Sequence, residues 1–254
     1  MAPADTLHRL DEGEARTVRD LVAGLGLQDA RAPGERPRVV ADMIAAVDGR
    51  ASIDGRSVGL GHPADRALLR ELRAGADAIL VGAPTIRAER YANLLDADQR
   101  AARVAAGRPA HPLVATVSRG LDLPLDVPLF SEEGIEIVVY SESEMATPEV
   151  TGATLEVVRS APGTLTLPAL MDDLGARGIR SVLCEGGPTL LRELVAQGAV
   201  DDLLLTVAPL VVGGGAASIV EGAALAAPRA LALREIHRAG EHLFLHYVPV
   251  LTDG

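Results

Sequence analysis

The sequence predicts an α/β fold built on a mixed, mostly parallel central sheet flanked by helices. Three observations predict it. Short apolar runs of strand length alternate with segments of helical periodicity, the pattern of parallel sheets with helical crossovers. Gly, Pro, Ser and Asp punctuate the runs and supply the turns between them. The last two apolar runs, 203–212 and 243–250, have no strong helix between them, so part of the sheet is expected to be antiparallel.

The 254 residues suffice for one large domain, read here as 38–254, with 1–37 as an N-terminal extension. With 48% hydrophobic but only 2% aromatic residues and no Trp, the core must be Ala, Val, Leu and Ile. Base stacking on aromatic platforms is therefore disfavoured, and a formal net charge of −11 argues further against nucleic acid or anionic membranes as partners. The single cysteine, Cys184, rules out an intramolecular disulfide and a four-cysteine zinc site. The six histidines show no metal-ligand spacing, so no metal is expected. The start lacks an apolar segment and no apolar run reaches about 18 residues, so a soluble cytoplasmic protein is expected.

In chain order, Glu12 to Leu25 carries a weak helical pattern that Gly26 can end, and the breaker cluster Ala32 to Pro37 reads as a linker. Val39 to Val47 is a strand ending at the turn pair Asp48-Gly49, repeated at Asp54-Gly55. Pro63 opens a helix through Ala74 with Leu68, Leu69 and Leu72 buried, and Gly75 falls where a C-terminal cap belongs. Ala78 to Gly82 is a continuous apolar run, as in a strand buried on both faces. The segment 89–108 is helical in part. Strands follow at Leu113–Val117, Ile135–Tyr140 and Leu155–Val158; Glu132, Glu133, Glu142 and Glu144 read as solvated faces. Leu167 to Gly178 is a helix with Leu170, Met171 and Leu174 inward. The strand Ser181–Cys184 then runs through Glu185-Gly186-Gly187 into a helix opened by Pro188 and capped by Gly198. Leu203 to Val212 is a strand interrupted at Pro209, and Leu243 to Val250 is the last.

The chemistry centres on the Glu185-Gly186-Gly187-Pro188-Thr189-Leu190-Leu191 turn. Glycines allow close backbone approach, and the N–H groups of Gly187, Thr189 and Leu190 at a helix start suit a phosphate. Three other strands end in similar loops: Asp48-Gly49, Gly82-Ala83-Pro84-Thr85 and Ser118-Arg119-Gly120. Ligands of α/β sheets sit beyond the carboxyl ends of strands, so four such loops predict a cleft for an extended ligand. A hydroxyl beside a guanidinium holds phosphate well, which places a dinucleotide 2′-phosphate at Ser118-Arg119, with Arg87 contributing, and favours NADPH over NADH. Gly59 to Ala64 matches G-x-G-x-x-A by letter, but no apolar strand runs into it. There is no P-loop and no G-x-S-x-G elbow.

Five motifs in order carry a resemblance. They are Ala45 to Arg50, Leu69 to Ala74, Asp77 to Arg87, Glu185 to Leu191, and Val200 to Leu203 leading to Ala208 to Gly214. Over about residues 38–249 the chain resembles the reductase domain of bacterial riboflavin biosynthesis, without the deaminase domain often fused before it. The resemblance implies a dihydrofolate-reductase-like three-layer fold and a homodimer. It also implies NADPH-dependent reduction of 5-amino-6-(5-phosphoribosylamino)uracil, in which the opened sugar forms an imine and C1′ accepts a hydride. By the same resemblance Ala45, Gly59, Thr85, Glu89, Ser118 and Gly186 to Leu191 hold the cofactor; Gly82, Arg87 and Arg119 join them from the strand-end and phosphate readings above. Ser57, Arg73, Asn93, Leu94 and Glu185 face the substrate. Asp48 helps position it. Glu185 is a candidate to assist proton transfer, the alternative being a carboxylate that only hydrogen-bonds the substrate. The chain departs from the family at three points. Glu89-Arg90-Tyr91 replaces an acidic pair and proline, Leu95-Asp96-Ala97 lacks an arginine for the substrate phosphate, and Gly59 replaces an aromatic residue. These keep two alternatives open: a related pyrimidine or pterin (dihydrofolate-type) reductase, and a non-catalytic NADPH-binding protein.

Overall fold

A computed structural model describes residues 15–29 and 35–250. The beginning of the 12–25 helical pattern and part of the 32–37 breaker cluster lie outside the described residues. The chain runs α1 (Val18–Gly24), β1 (Arg38–Ala46), α2 (Pro63–Gly75), β2 (Ala78–Gly82), α3 (Ala83–Glu89), α4 (Ala97–Ala105), β3 (Leu113–Val117), β4 (Glu136–Ser141) and β5 (Thr154–Arg159). It continues through α5 (Leu167–Ala176), β6 (Ser181–Cys184), α6 (Pro188–Ala196), β7 (Asp202–Ala208), β8 (Leu231–Ala239) and β9 (His242–Pro249). The strands form one sheet in the order β5-β4-β3-β2-β6-β1-β7-β9-β8. Every pairing from β5 to β7 is parallel, and β9 and β8 add antiparallel to that edge.

Alternation along the strands divides the core into two layers. Val39 and Ala41 of β1, Ala78 and Leu80 of β2, and Val182 and Cys184 of β6 face α5 and α6, meeting Leu170, Met171, Leu174, Leu191 and Leu194. The intervening Val40 and Leu183 face α1 and α2, meeting Leu68 and Leu72. Ile79 and Val81 face α3 and its following loop, meeting Ile86 and Leu94. Burying each such side chain stabilises by roughly 1.5–3 kcal/mol. The helices start on local signals. Asp96 caps α4 and forms a capping box with Gln99. Thr166 caps α5, and the His62 ring accepts from the Ala64 N–H to cap α2. Among the described residues no helix is long and apolar enough to cross a membrane.

Several expectations need correction. Gly75 lies inside the last turn of α2 and Ala76 is the cap. A Cβ at Gly75 would stand 2.9 Å from Leu27 Cδ1, so the glycine makes room for the segment after α1. Val22 of α1 and Leu25 and Leu27 after it are buried with α2. The Gly82-Ala83-Pro84-Thr85 loop is the first turn of α3, which Pro84 helps to open. The strand expected over 203–212 stops at Ala208, where Pro209 removes a ladder donor. β8 was not expected: a register shift between Leu233 and Glu235 breaks its alternation. Glu132 and Glu142 are more than solvated faces. Glu132 accepts from the Asn93 N–H, and Glu142 accepts from the Leu165 N–H and Arg119.

Candidate active site

Three of the four loops expected to share a cleft line it, because β3, β2 and β6 are consecutive in the sheet and parallel; the Asp48-Gly49 turn after the neighbouring β1 lines neither cavity. Two cavities open along their carboxyl ends, of about 260 Å³ and about 320 Å³. Pro84, Thr85, Gly187 and Pro188 line both, so they form one two-lobed cleft.

The first lobe lies over the start of α6. Gly82, Thr85, Gly187, Pro188, Thr189 and Leu190 form one wall, and Leu165, Leu167 and Leu170 the apolar wall opposite. Gly186 has φ +77°, a conformation that favours glycine. Gly187 caps α6 with no side chain, and a Cβ there would sit 2.7 Å from Thr85 Oγ1. The first N–H groups of a helix have no intrahelical partner, so this turn presents donors to an anion. Arg119 lines the far end, where it donates to Glu142 at 2.7 Å.

The second lobe lies on the α2 side of the sheet, between α2 and α3, and is rich in carboxyls: Asp42, Asp65, Glu89 and Glu185 line it. Glu185, just past β6, is buried. Arg73 of α2 donates to both its oxygens at 2.8 and 2.7 Å, and Tyr91 O–H donates to Oε2 at 2.5 Å. The Arg73 guanidinium also lies 5.1 Å from the Tyr91 ring centre, a cation–π contact. Burial alone would lower the Arg73 pKa, but the Glu185 charge holds it above its ordinary value. Burial and then the Glu185 charge raise the Tyr91 phenol. The neighbouring Cys184 thiol is pushed up to about 12 by burial and is an inert core residue.

The expected cofactor residues divide. Gly82, Thr85, Arg119, Gly187, Pro188, Thr189 and Leu190 line the first lobe. Leu191 does not; it is fully buried beneath α6 in the core. Ala45 is buried in β1, while Asp42, Met43 and Ile44 reach the second lobe instead. Gly59 is exposed and packs on Ile53. Arg87 is on the surface, paired with Asp122. Ser118 is buried, its hydroxyl donating to the Asp122 carbonyl in its own loop. Glu89 lines the second lobe and accepts from the Ser57 N–H at 2.6 Å.

Of the expected substrate residues, Ser57 and Glu185 line the second lobe and Arg73 supports it from behind. Asn93 is exposed and Leu94 is in the core, because the chain after α3 turns inward at Leu94 and Leu95. Asp48 is exposed at a turn. Hydrogen bonds from Gly213 and Val212 hold its carboxyl below its usual range and tie two loops together, away from both lobes. The sequence reading missed Asp42, Asp65 and Tyr91. An aspartate inside the apolar run Val39–Ala46 is the signal that singles out Asp42.

The RibD C-terminal domain family matches residues 37–245. The chain is 30% identical over 183 residues to a 2,5-diamino-6-ribosylamino-4(3H)-pyrimidinone 5′-phosphate reductase of Archaeoglobus fulgidus, covering 70% of this chain and 83% of that relative. It is 28% identical over 219 residues to the protein of that name from Methanothermobacter thermautotrophicus, covering 84% and 98%. A solved pyrimidine reductase-like protein from Corynebacterium diphtheriae shares the fold with a TM-score of 0.75 at 24% identity, covering 93% of this chain and all of that one.

Proposed function

We propose that this chain, which belongs to the RibD C-terminal domain family, is a pyrimidine-phosphate reductase of riboflavin biosynthesis that uses NADPH. Its substrate is 5-amino-6-(5-phosphoribosylamino)uracil, reduced at C1′ to the ribityl product. The observation that carries this reading is the two-lobed cleft joined at Pro84, Thr85, Gly187 and Pro188. When bound, NADPH supplies a hydride. The α6 turn suits its phosphates, since a side chain at Gly187 would fill the space before Thr85. Leu165, Leu167 and Leu190 give the first lobe an apolar lining. The Glu185–Arg73–Tyr91 network fixes the wall of the second lobe, so the substrate meets prearranged groups.

One observation favours a second reading, a pterin-type substrate without a phosphate. The residues lining the second lobe include no lysine or arginine, and the adjacent Arg73 is committed to Glu185. Following the loss of reduced-nicotinamide absorbance with the uracil ribotide, its 2-amino counterpart and dihydrofolate separates the readings. Turnover of either ribotide supports the first. Turnover of dihydrofolate alone supports the second, and tight NADPH binding without turnover leaves a binding protein. The reading includes a cytoplasmic homodimer, for which exposed Val211 and Leu233 supply apolar surface; sedimentation measures that.

A further inference from the structure

Asp42 stands in the middle of β1, between Ala41 and Met43. Alternation turns it, like Val40, to the α2 side of the sheet. Ala41 pairs with Cys184, so Asp42 is level with Glu185 one residue on, and on its other flank it pairs with Leu204 of β7. Asp65 of α2 faces the same lobe about two turns before Arg73. Three carboxyls, Asp42, Asp65 and Glu185, therefore line one lobe, and the Arg73 guanidinium is bound to Glu185. Glu185 takes that guanidinium on both oxygens and accepts from Tyr91 as well. Both of its oxygens are thus engaged as acceptors. Asp42 has no hydrogen-bond or ion-pair partner among the described residues, and it lines the lobe.

We propose that Asp42, rather than Glu185, is the acid of the reaction, giving its carboxyl proton to the substrate's imine nitrogen. This rests on the reductase reading above. C1′ of the ring-opened imine gains a hydride, with its two electrons, from the dihydronicotinamide. The C=N π pair moves onto nitrogen and takes the Asp42 proton. The products are the secondary amine, the oxidised nicotinamide and an Asp42 carboxylate that solvent reprotonates.

The surroundings keep that proton in place before the reaction. Burial, then the charges of Asp65 and Glu185, push the Asp42 carboxyl well above the usual carboxylate range, against the pull of Arg73. Asp65 is itself raised, chiefly by burial, with the Thr206 hydroxyl of β7 and then His242, Arg66 and His62 opposing. Leu204 contributes no charge on the β7 side. A neutral acid in a cleft at working pH is the state a proton donor needs.

Asp42→Asn tests this, since the amide matches the shape of the neutral acid and keeps the fold. The ligand-free wild type is expected to show the infrared carbonyl band of a protonated carboxyl, and Asp42→Asn to lose it. The single-turnover rate with the uracil ribotide should fall about 100-fold or more. NADPH affinity and melting temperature should stay at wild-type values. The wild-type kcat should decline as pH rises through the Asp42 pKa, and the variant should lose that decline. A variant that turns over at the wild-type rate, or keeps the alkaline decline, overturns the assignment while leaving the reductase reading intact. A wild type that reduces no pyrimidine or pterin substrate overturns both.

Discussion

Arg73 and Glu185 form a two-point ion pair across 112 residues, Nε to Oε1 at 2.8 Å and Nη2 to Oε2 at 2.7 Å, with both side chains buried. Removing one partner strands the other charge out of water. Arg73→Met should therefore destabilise the fold by about 3–5 kcal/mol, while Arg73→Met combined with Glu185→Gln should recover much of the loss. Urea unfolding of the two variants measures the difference. Equal stability would mean the pair contributes little.

The Gly187 turn has no room for a side chain. Gly187→Ala places its Cβ against Thr85 Oγ1. NADPH affinity in a fluorescence titration should weaken about tenfold, or roughly 1.4 kcal/mol. Adding Thr85→Ala should return part of the affinity by opening the space, and Gly187→Asp should be worse than Gly187→Ala because it adds negative charge. Unchanged affinity in Gly187→Asp would remove the cofactor from this lobe.

Glu142 holds the guanidinium that a 2′-phosphate would use. Arg119→Ala should narrow the preference for NADPH over NADH, and Glu142→Gln should widen it by releasing Arg119. The ratio of the two dissociation constants, measured at one salt concentration, decides. If neither variant moves the ratio, the 2′-phosphate is read elsewhere.

Asp202 at the start of β7 is buried between Arg38 and His246, at 2.8 Å from each. Burial raises its pKa, but the bonds from His246 and Arg38 outweigh it and leave the group below its usual value. A carboxyl depressed in the folded state adds stability above its unfolded pKa. That stability is lost as pH falls through the folded pKa, because the unfolded chain binds the proton first. Chemical unfolding should show stability falling on acidification below about pH 4. The fall should be shallower in Asp202→Asn, whose stability at neutral pH should be lower by about 3 kcal/mol.

Leu27 packs into the space left by Gly75 and is nearly inaccessible. Leu27→Ala should cost about 2–3 kcal/mol of stability without changing NADPH affinity. A neutral result would make the segment after α1 dispensable to the core.

Much of this protein is determined by near neighbours in sequence and so is legible there. Alternation and continuous apolar runs mark β1 to β7 and β9. Proline and glycine placement marks the ends of α2 and α6, and three of the four strand-end loops mark the cleft. The strand–glycine–proline turn from Glu185 to Leu190 is visible because its backbone chemistry is local. β8 is hidden by its bulge, and Leu191 and Leu94 read as site residues until packing shows them facing the core. Only the tertiary structure decided which side chains meet in the second lobe. Asp42, Asp65, Arg73, Tyr91 and Glu185 come from β1, α2, the loop after α3 and the end of β6. Their meeting depends on sheet order, on which face each strand turns to α2, and on burial. Charge and desolvation act through space, so a lone aspartate in an apolar strand became a candidate acid only when Asp65 and Glu185 were placed beside it.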